Sequence, residues 1–187
     1  MARIFLAIDL PDDLRALLER RQTRWRSSGA DVRWVAAGRV HLTVKFLGEI
    51  SEADIDRVTV VCHRVCRGLA PFSLTLKGVG AFPGLKRPRV LWVGLGGDLN
   101  RLASLQQELE TALEGTGFPR ENRPFSPHLT VGRIRSLRNL SRLSEILSHE
   151  DLANRPFPVH EVGIYRSVLG PQGPTYTKLA SCRLTPP

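Results

Sequence analysis

The sequence predicts an α+β fold of two lobes related by a pseudo-two-fold axis, each mostly antiparallel sheet with helices outside, around a central cleft. Three observations point there. Short strand-like runs alternate along the chain with amphipathic helical runs. The tetrapeptide HLTV occurs twice, beginning at His41 and at His128, 87 residues apart. Shifted by that same 87, the helix read over 12–27 falls on the helix read independently over 99–114, and strand 89–95 falls on 176–182. An internal repeat of approximately 1–88 and 89–187 follows, within one domain, since 187 residues suffice for a shared core.

Taken in order, residues 3–10 read as a strand, and Pro11 stands at the entrance of helix 12–27, where Leu14, Leu17, Leu18 and Trp25 recur at helical spacing. The pattern breaks near Gly29. His41 to Leu47 alternates as a strand does. Ser51 and Asp54 occupy capping-box positions for helix 51–67, which turns Ile55, Val58, Cys62, Cys66 and then Leu69 inward. Strands follow over 72–79 and 89–95. Between them GAFPGLKRP, rich in Gly, Pro and basic residues, reads as a turn or mobile loop. Helix 99–114 carries Leu102, Leu105, Leu109 and Leu113 on one stripe. A strand from His128, a helix near 140–152 and strands near 157–165 and 175–183 complete the chain.

Composition excludes some classes. A chain 42% hydrophobic and 24% charged is neither disordered nor membrane-embedded. IFLAI at 4–8 is stopped by Asp9 and Pro11, too short for a signal-peptide core or a membrane span, so a cytoplasmic protein without a membrane partner is expected. Cys62, Cys66 and Cys182 form neither a disulfide framework nor a zinc pattern, and the first two sit in an apolar stripe as small hydrophobes. A formal charge of +9 favours an anionic partner, nucleic acid first, although a solvated surface rich in arginine accounts for such a charge equally well.

The chemistry lies in the repeated motif. In a strand, His41, Thr43 and Lys45 share one face and Leu42, Val44 and Phe46 the other. The second copy presents His128 and Thr130 in the same way, with Gly132 where Lys45 stood. An imidazole and a hydroxyl on an otherwise packed strand, twice, suit the opening of a cyclic phosphodiester. That reaction needs a base for the attacking water and an acid for the departing sugar oxygen, roughly in line across phosphorus. Histidine titrates near neutrality and serves either role. Thr43 and Thr130 would donate to the non-bridging oxygens, and Lys45 or Arg133 would add a full charge there. Strict alternation sets Arg133 on the wrong face unless the strand twists or ends. A single H-x-T would be read as a chance match with a structural histidine; two copies in matching context would not. His63, His149 and His160 have no partner motif. Tyr165, Tyr176 and Phe82 are candidates for stacking on a base, with core packing as the plainer account of each.

With these residues in hand, the sequence resembles the two-histidine phosphoesterases, and within them the LigT-like RNA 2′,3′-cyclic phosphodiesterases, also called 2′-5′ RNA ligases. The likeness runs almost end to end and rests on RIFLAIDLP at 3–11, HLTVKFLGE at 41–49, HLTVGRI at 128–134 and IYRSVLGPQGPTY at 164–176. The resemblance implies a bilobal fold with both motifs facing the cleft and hydrolysis to a 2′-phosphomonoester with no metal or other cofactor. It makes His41 the proton donor to the departing 3′-oxygen, His128 the proton acceptor from water, and Thr43 and Thr130 the phosphate-holding pair. It also implies a partner: RNA ending in a 2′,3′-cyclic phosphate, such as a tRNA half, acted on by a monomer, with 2′-5′ joining as the related reverse reaction. Two other readings stay open on the residues alone. One is a phosphodiesterase for another small cyclic or 2′-5′-linked nucleotide; the other is a non-catalytic RNA-binding module.

Overall fold

The structure, a computed structural model, describes residues 1–84, 87–152, 155–171 and 173–186. Among the described residues the periodic stretches settle into nine strands and four α-helices. In chain order these are β1 (Ala2–Asp9), α1 (Asp12–Arg26), β2 (Val32–Trp34), a single 3₁₀ turn (Ala37–Arg39), β3 (His41–Ile50), α2 (Glu52–Cys66), β4 (Phe72–Phe82) and β5 (Val90–Gly97). Then come α3 (Leu99–Glu114), β6 (Leu129–Ile134), α4 (Leu140–Ser148), β7 (Pro156–Val159), β8 (Glu161–Gly170) and β9 (Gly173–Arg183).

Local sequence accounts for the helices. In α1 the apolar stripe of Leu14, Leu17, Leu18 and Trp25 is buried, while Asp12 and Asp13 in the first turn and Arg24 and Arg26 in the last complement the helix dipole. At the start of α2, Ser51 accepts from the Asp54 backbone and Asp54 from the Ser51 backbone, the capping box the sequence predicts. Helix α4 stops at Ser148, short of the expected 152.

The strands form one sheet in the order β7-β4-β5-β6-β3-β1-β8-β9, with β2 added alongside β6. Its two halves, β3-β1-β8-β9 and β6-β5-β4-β7, run outward in opposite directions from an antiparallel bridge between Leu42 and Leu129. In this arrangement β5 holds the place of β1, α3 that of α1, and α4 that of α2. The outermost strands are β9 in one half and β7 in the other. The offset that carries 89–95 onto 176–182 therefore joins strands in unequal positions, β5 beside the centre and β9 at the edge. The sequence also leaves β2 unread and merges β7 with β8, which are separated at His160. Of the segment read as a turn, Gly80–Phe82 belong to β4, and Leu85 and Lys86 lie outside the described residues.

A continuous core lies between one face of the sheet and the helices, and Leu42, Val44, Leu129 and Val131 supply it from the two motif strands. Cys62, Cys66 and Cys182 meet within it, free and buried, where α2 packs on β9. The opposite face carries a small separate cluster of Phe5, Ala7 and Tyr165, with Tyr176 packed against it. The cleft opens on that face. Among the described residues no helix is long and apolar enough to cross a membrane.

Candidate active site

The central bridge fixes the site. Because Leu42 and Leu129 pair in an antiparallel register, one step to either side sets His41 across from Thr130 and Thr43 across from His128. With both leucines in the core, these four side chains project to the other face. All four line a cavity of about 550 Å³, together with Arg3, Phe5, Phe46, Phe82, Arg133 and Tyr176 among others. Among the described residues neither threonine hydroxyl has a hydrogen-bond partner in the protein, so both are available to a ligand.

The two imidazoles are held alike. His41 Nδ1 lies 2.8 Å from the carbonyl of Arg39, and His128 Nδ1 lies 2.7 Å from the carbonyl of Ser126. A carbonyl only accepts, so each Nδ1 carries a proton and donates it, which leaves Nε2 as the nitrogen that exchanges protons. Their surroundings differ. His41 stacks on Phe5 at 4.9 Å between ring centroids and meets the edge of Tyr176 at 5.1 Å. Among the described residues the one ring that His128 meets is Phe82, edge-on at 4.9 Å. Burial pushes the His41 imidazole below its ordinary value, against the opposing pull of the Arg39 carbonyl and the Asp9 carboxylate.

Both motif strands then depart from strict alternation at the same step. Opposite β1, Leu6 pairs with Lys45 and Ala7 with Thr43, so Val44 is an extra residue; opposite β5, Leu91 pairs with Gly132 and Trp92 with Thr130, so Val131 is extra. Each bulge turns the residues after it by one face. Lys45 consequently enters the core instead of the cleft. It is 1% exposed, and its ammonium donates to Glu110 at 2.7 Å and to the Pro119 carbonyl at 2.9 Å. The expected phosphate contact by Lys45 is thus corrected to a buried ion pair beneath α3. Phe46 takes the cleft position, and in the second motif Arg133 does so, which resolves the objection that alternation raised against it. Gly132, on the core side, has no Cβ because one would stand 2.7 Å from Val32 Cγ1 of β2.

The aromatic candidates separate. Tyr176 and Phe82 line the cavity, whereas Tyr165 is 9% exposed, stacked behind Phe5 at 5.4 Å, and donates its hydroxyl to Asp9. Tyr165 is therefore a support for Phe5, not an RNA contact. Asp9 would be raised by burial, but Tyr165 and the Lys178 ammonium together hold its carboxyl low. Burial raises the Tyr176 phenol against the pull of Arg133, Arg39 and Arg3 around it. His63, His149 and His160 do not reach the cavity. Sequence reasoning missed Phe5, Phe46, Arg3, Arg33 and Arg39. For Arg3 and Phe5 a signal existed, since period-2 spacing in β1 sets both on the face away from Ile4, Leu6 and Ile8. Among the described residues no three His, Cys, Asp or Glu side chains converge as a metal-binding group.

Comparison with known proteins places the chain in a family. The chain is 36% identical to the RNA 2′,3′-cyclic phosphodiesterase of Methanothermobacter thermautotrophicus, over 97% of this chain and 98% of that one. It is 34% identical to the protein of the same name from Thermotoga maritima, over 97% and 95% of the two chains. Among solved structures, TT0787 of Thermus thermophilus superposes with a TM-score of 0.83 at 29% identity, and Escherichia coli LigT complexed with 3′-AMP with 0.76 at 29%, each over 98% of both chains. The model of the 2′-5′ RNA ligase superfamily matches residues 10–171. This chain belongs to the 2′-5′ RNA ligase superfamily.

Proposed function

We propose that this protein hydrolyses RNA 2′,3′-cyclic phosphate ends to 2′-phosphomonoesters by acid–base catalysis between His41 and His128, without a metal. The observation that carries the reading is the pairing of two Nε2 atoms and two unpartnered threonine hydroxyls about one cavity. The names borne by relatives over nearly the whole chain support the substrate.

In the proposed step, neutral His128 takes a proton at Nε2 from a water whose oxygen bonds to phosphorus. The bond from phosphorus to O3′ breaks, and protonated His41 delivers its Nε2 proton to O3′. Thr43, Thr130 and Arg133 hold the non-bridging oxygens as charge gathers on them. Burial weakens the hold of His41 on its proton, which makes it a stronger acid, while the anionic phosphate beside the ring favours its charged form on binding. A 5′-hydroxyl in place of water, with the same two proton transfers, gives a 2′-5′ linkage, and its reversal returns the cyclic end. We further infer that the chain acts as a cytoplasmic monomer and as a single domain whose repeats meet near residue 88.

The test is hydrolysis of nucleoside 2′,3′-cyclic monophosphates and of a short RNA with a cyclic end, in EDTA, by wild type, His41→Ala and His128→Ala. Formation of 2′-phosphate that both substitutions abolish is expected. Loss of activity to the chelator with recovery on added metal would overturn the mechanism. RNA bound without turnover would leave a binding module, and preferred cleavage of 2′-5′ linkages would shift the substrate.

A further inference from the structure

Beyond Arg133, the cavity carries positive charge that the hydrolytic step does not use. Antiparallel pairing of β2 with β6 sets Arg33 directly across from Arg133. Directly opposed residues project to the same face, and both arginines line the cavity. Next to Arg33 is Arg39, whose Nη1 donates to the Pro174 carbonyl at 3.1 Å. The two guanidiniums converge over Gly173, where a Cβ would stand 2.9 Å from Arg33 Nη2 and 3.4 Å from Arg39 Nη1. Glycine is required there twice over, since the backbone also sits at a φ of +108°.

Like charges directly opposed across a strand pair repel. Among the described residues no carboxylate forms an ion pair with Arg33, Arg39 or Arg133. A cyclic mononucleotide brings one phosphate, which the two threonines and Arg133 take. An oligonucleotide brings another phosphate with every further nucleotide. The guanidinium fork matches phosphate oxygens in geometry as well as in charge.

The geometry points to a second anion seat, made by Arg33 and Arg39 over Gly173, that holds the phosphodiester one nucleotide upstream of the terminal cyclic phosphate. This rests on the hydrolytic reading above and deepens it: the seat selects an oligonucleotide end over a mononucleotide.

The experiment compares kcat/KM for adenosine 2′,3′-cyclic phosphate, for the dinucleotide with the same cyclic end, and for that dinucleotide with an uncharged methylphosphonate linkage. On wild type the charged dinucleotide is expected to lead both others by about tenfold, with the lead shrinking as salt rises. Arg33→Gln brings the ratio toward one and Arg33→Lys restores part of it. Equal rates on charged and uncharged linkages overturn the seat, with no variant needed. So does an Arg33→Gln that lowers all three by one factor, which would place Arg33 at the cyclic phosphate. Dissociation constants of the two dinucleotides on His128→Ala read the seat apart from turnover. Tighter binding of the charged linkage supports it even if no cyclic phosphate is hydrolysed, and equal binding refutes it.

Discussion

Replacing Lys45 by Met tests whether this residue belongs to the core or to the chemistry. Its ammonium is 1% exposed and the Glu110 side chain 7%, so the substitution leaves a carboxylate in the interior without its counter-charge. Breaking a buried pair from one side costs about 3–5 kcal/mol. Glu110 keeps two neutral donors, Gln106 Nε2 at 3.2 Å and the Glu121 backbone at 3.3 Å, which argues for the lower end. For a chain of this length about 3 kcal/mol lowers Tm by roughly 6–12 °C. Removing both charges, as Lys45→Met with Glu110→Leu, restores part of that loss, because no buried charge is left unpaired; what remains is neutral, the Pro119 carbonyl without its donor and Gln106 Nε2 and the Glu121 N–H without their acceptor. The assay is thermal unfolding by circular dichroism, paired with kcat/KM on a cyclic phosphate well below the melting range. The expectation is a large fall in Tm with kcat/KM within a few-fold of wild type. A hundredfold fall in kcat/KM with Tm unmoved would return Lys45 to the phosphate and refute the bulge argument.

The same geometry makes three more predictions. Thr43→Val and Thr130→Val remove hydroxyls that the fold does not use, so each is expected to lower kcat by about 10²–10³ with little change in Tm, read by steady-state kinetics beside a melt. The pH profile of kcat/KM is expected to be a bell with one limb below pH 6.5, because burial favours the neutral form of His41; Phe5→Leu uncovers the ring and moves that limb upward, as ring-proton NMR would show directly. Stability follows the same sign: below pH 6.5 the unfolded chain takes up the His41 proton before the folded one, so this contribution is full above 6.5 and declines as pH falls through the folded value.

Residues whose fate is set locally were legible in the sequence. The helices announce themselves through a stripe and a cap, as α2 does through Ser51 and Asp54, and H-x-T alternation carried His41, Thr43, His128 and Thr130 to one face. What failed was alternation past Thr43 and Thr130. An extra residue in a ladder depends on the partner strand, β1 or β5, and nothing in HLTVK or HLTVGR marks it. For the same reason Arg33 went unseen: β2 is three residues long, with no period to read, and its place comes from Val32, Arg33 and Trp34 pairing with β6. Strand β7, PFPV at the sheet edge, has two prolines that weaken any strand signal.

Identical motifs leave a question that identical residues do not answer. A 2′,3′-cyclic phosphate has two bridging sugar oxygens of nearly equal leaving ability, and a symmetric pair of histidines has no preference between them. Formation of one phosphomonoester therefore requires that the halves differ, and the differences lie outside the tetrapeptides. At the first bulge Phe46 enters the cleft and Lys45 the core; at the second Arg133 enters the cleft and Gly132 leaves room for β2. His41 is stacked on Phe5 with Asp9 paired to its backbone, while His128 has Phe82 at its edge. Arg133, with Arg33 across from it, thus adjoins the His128 strand, whereas Phe5, Phe46 and Tyr176 gather on the His41 side together with Arg3 and Arg39. The two halves of the cleft therefore present different surroundings to the two bridging oxygens, which is what a preference for one orientation requires. That orientation decides which oxygen meets the acid, so the identity of the product isomer is a readout of the residues around the motifs and not of the motifs themselves.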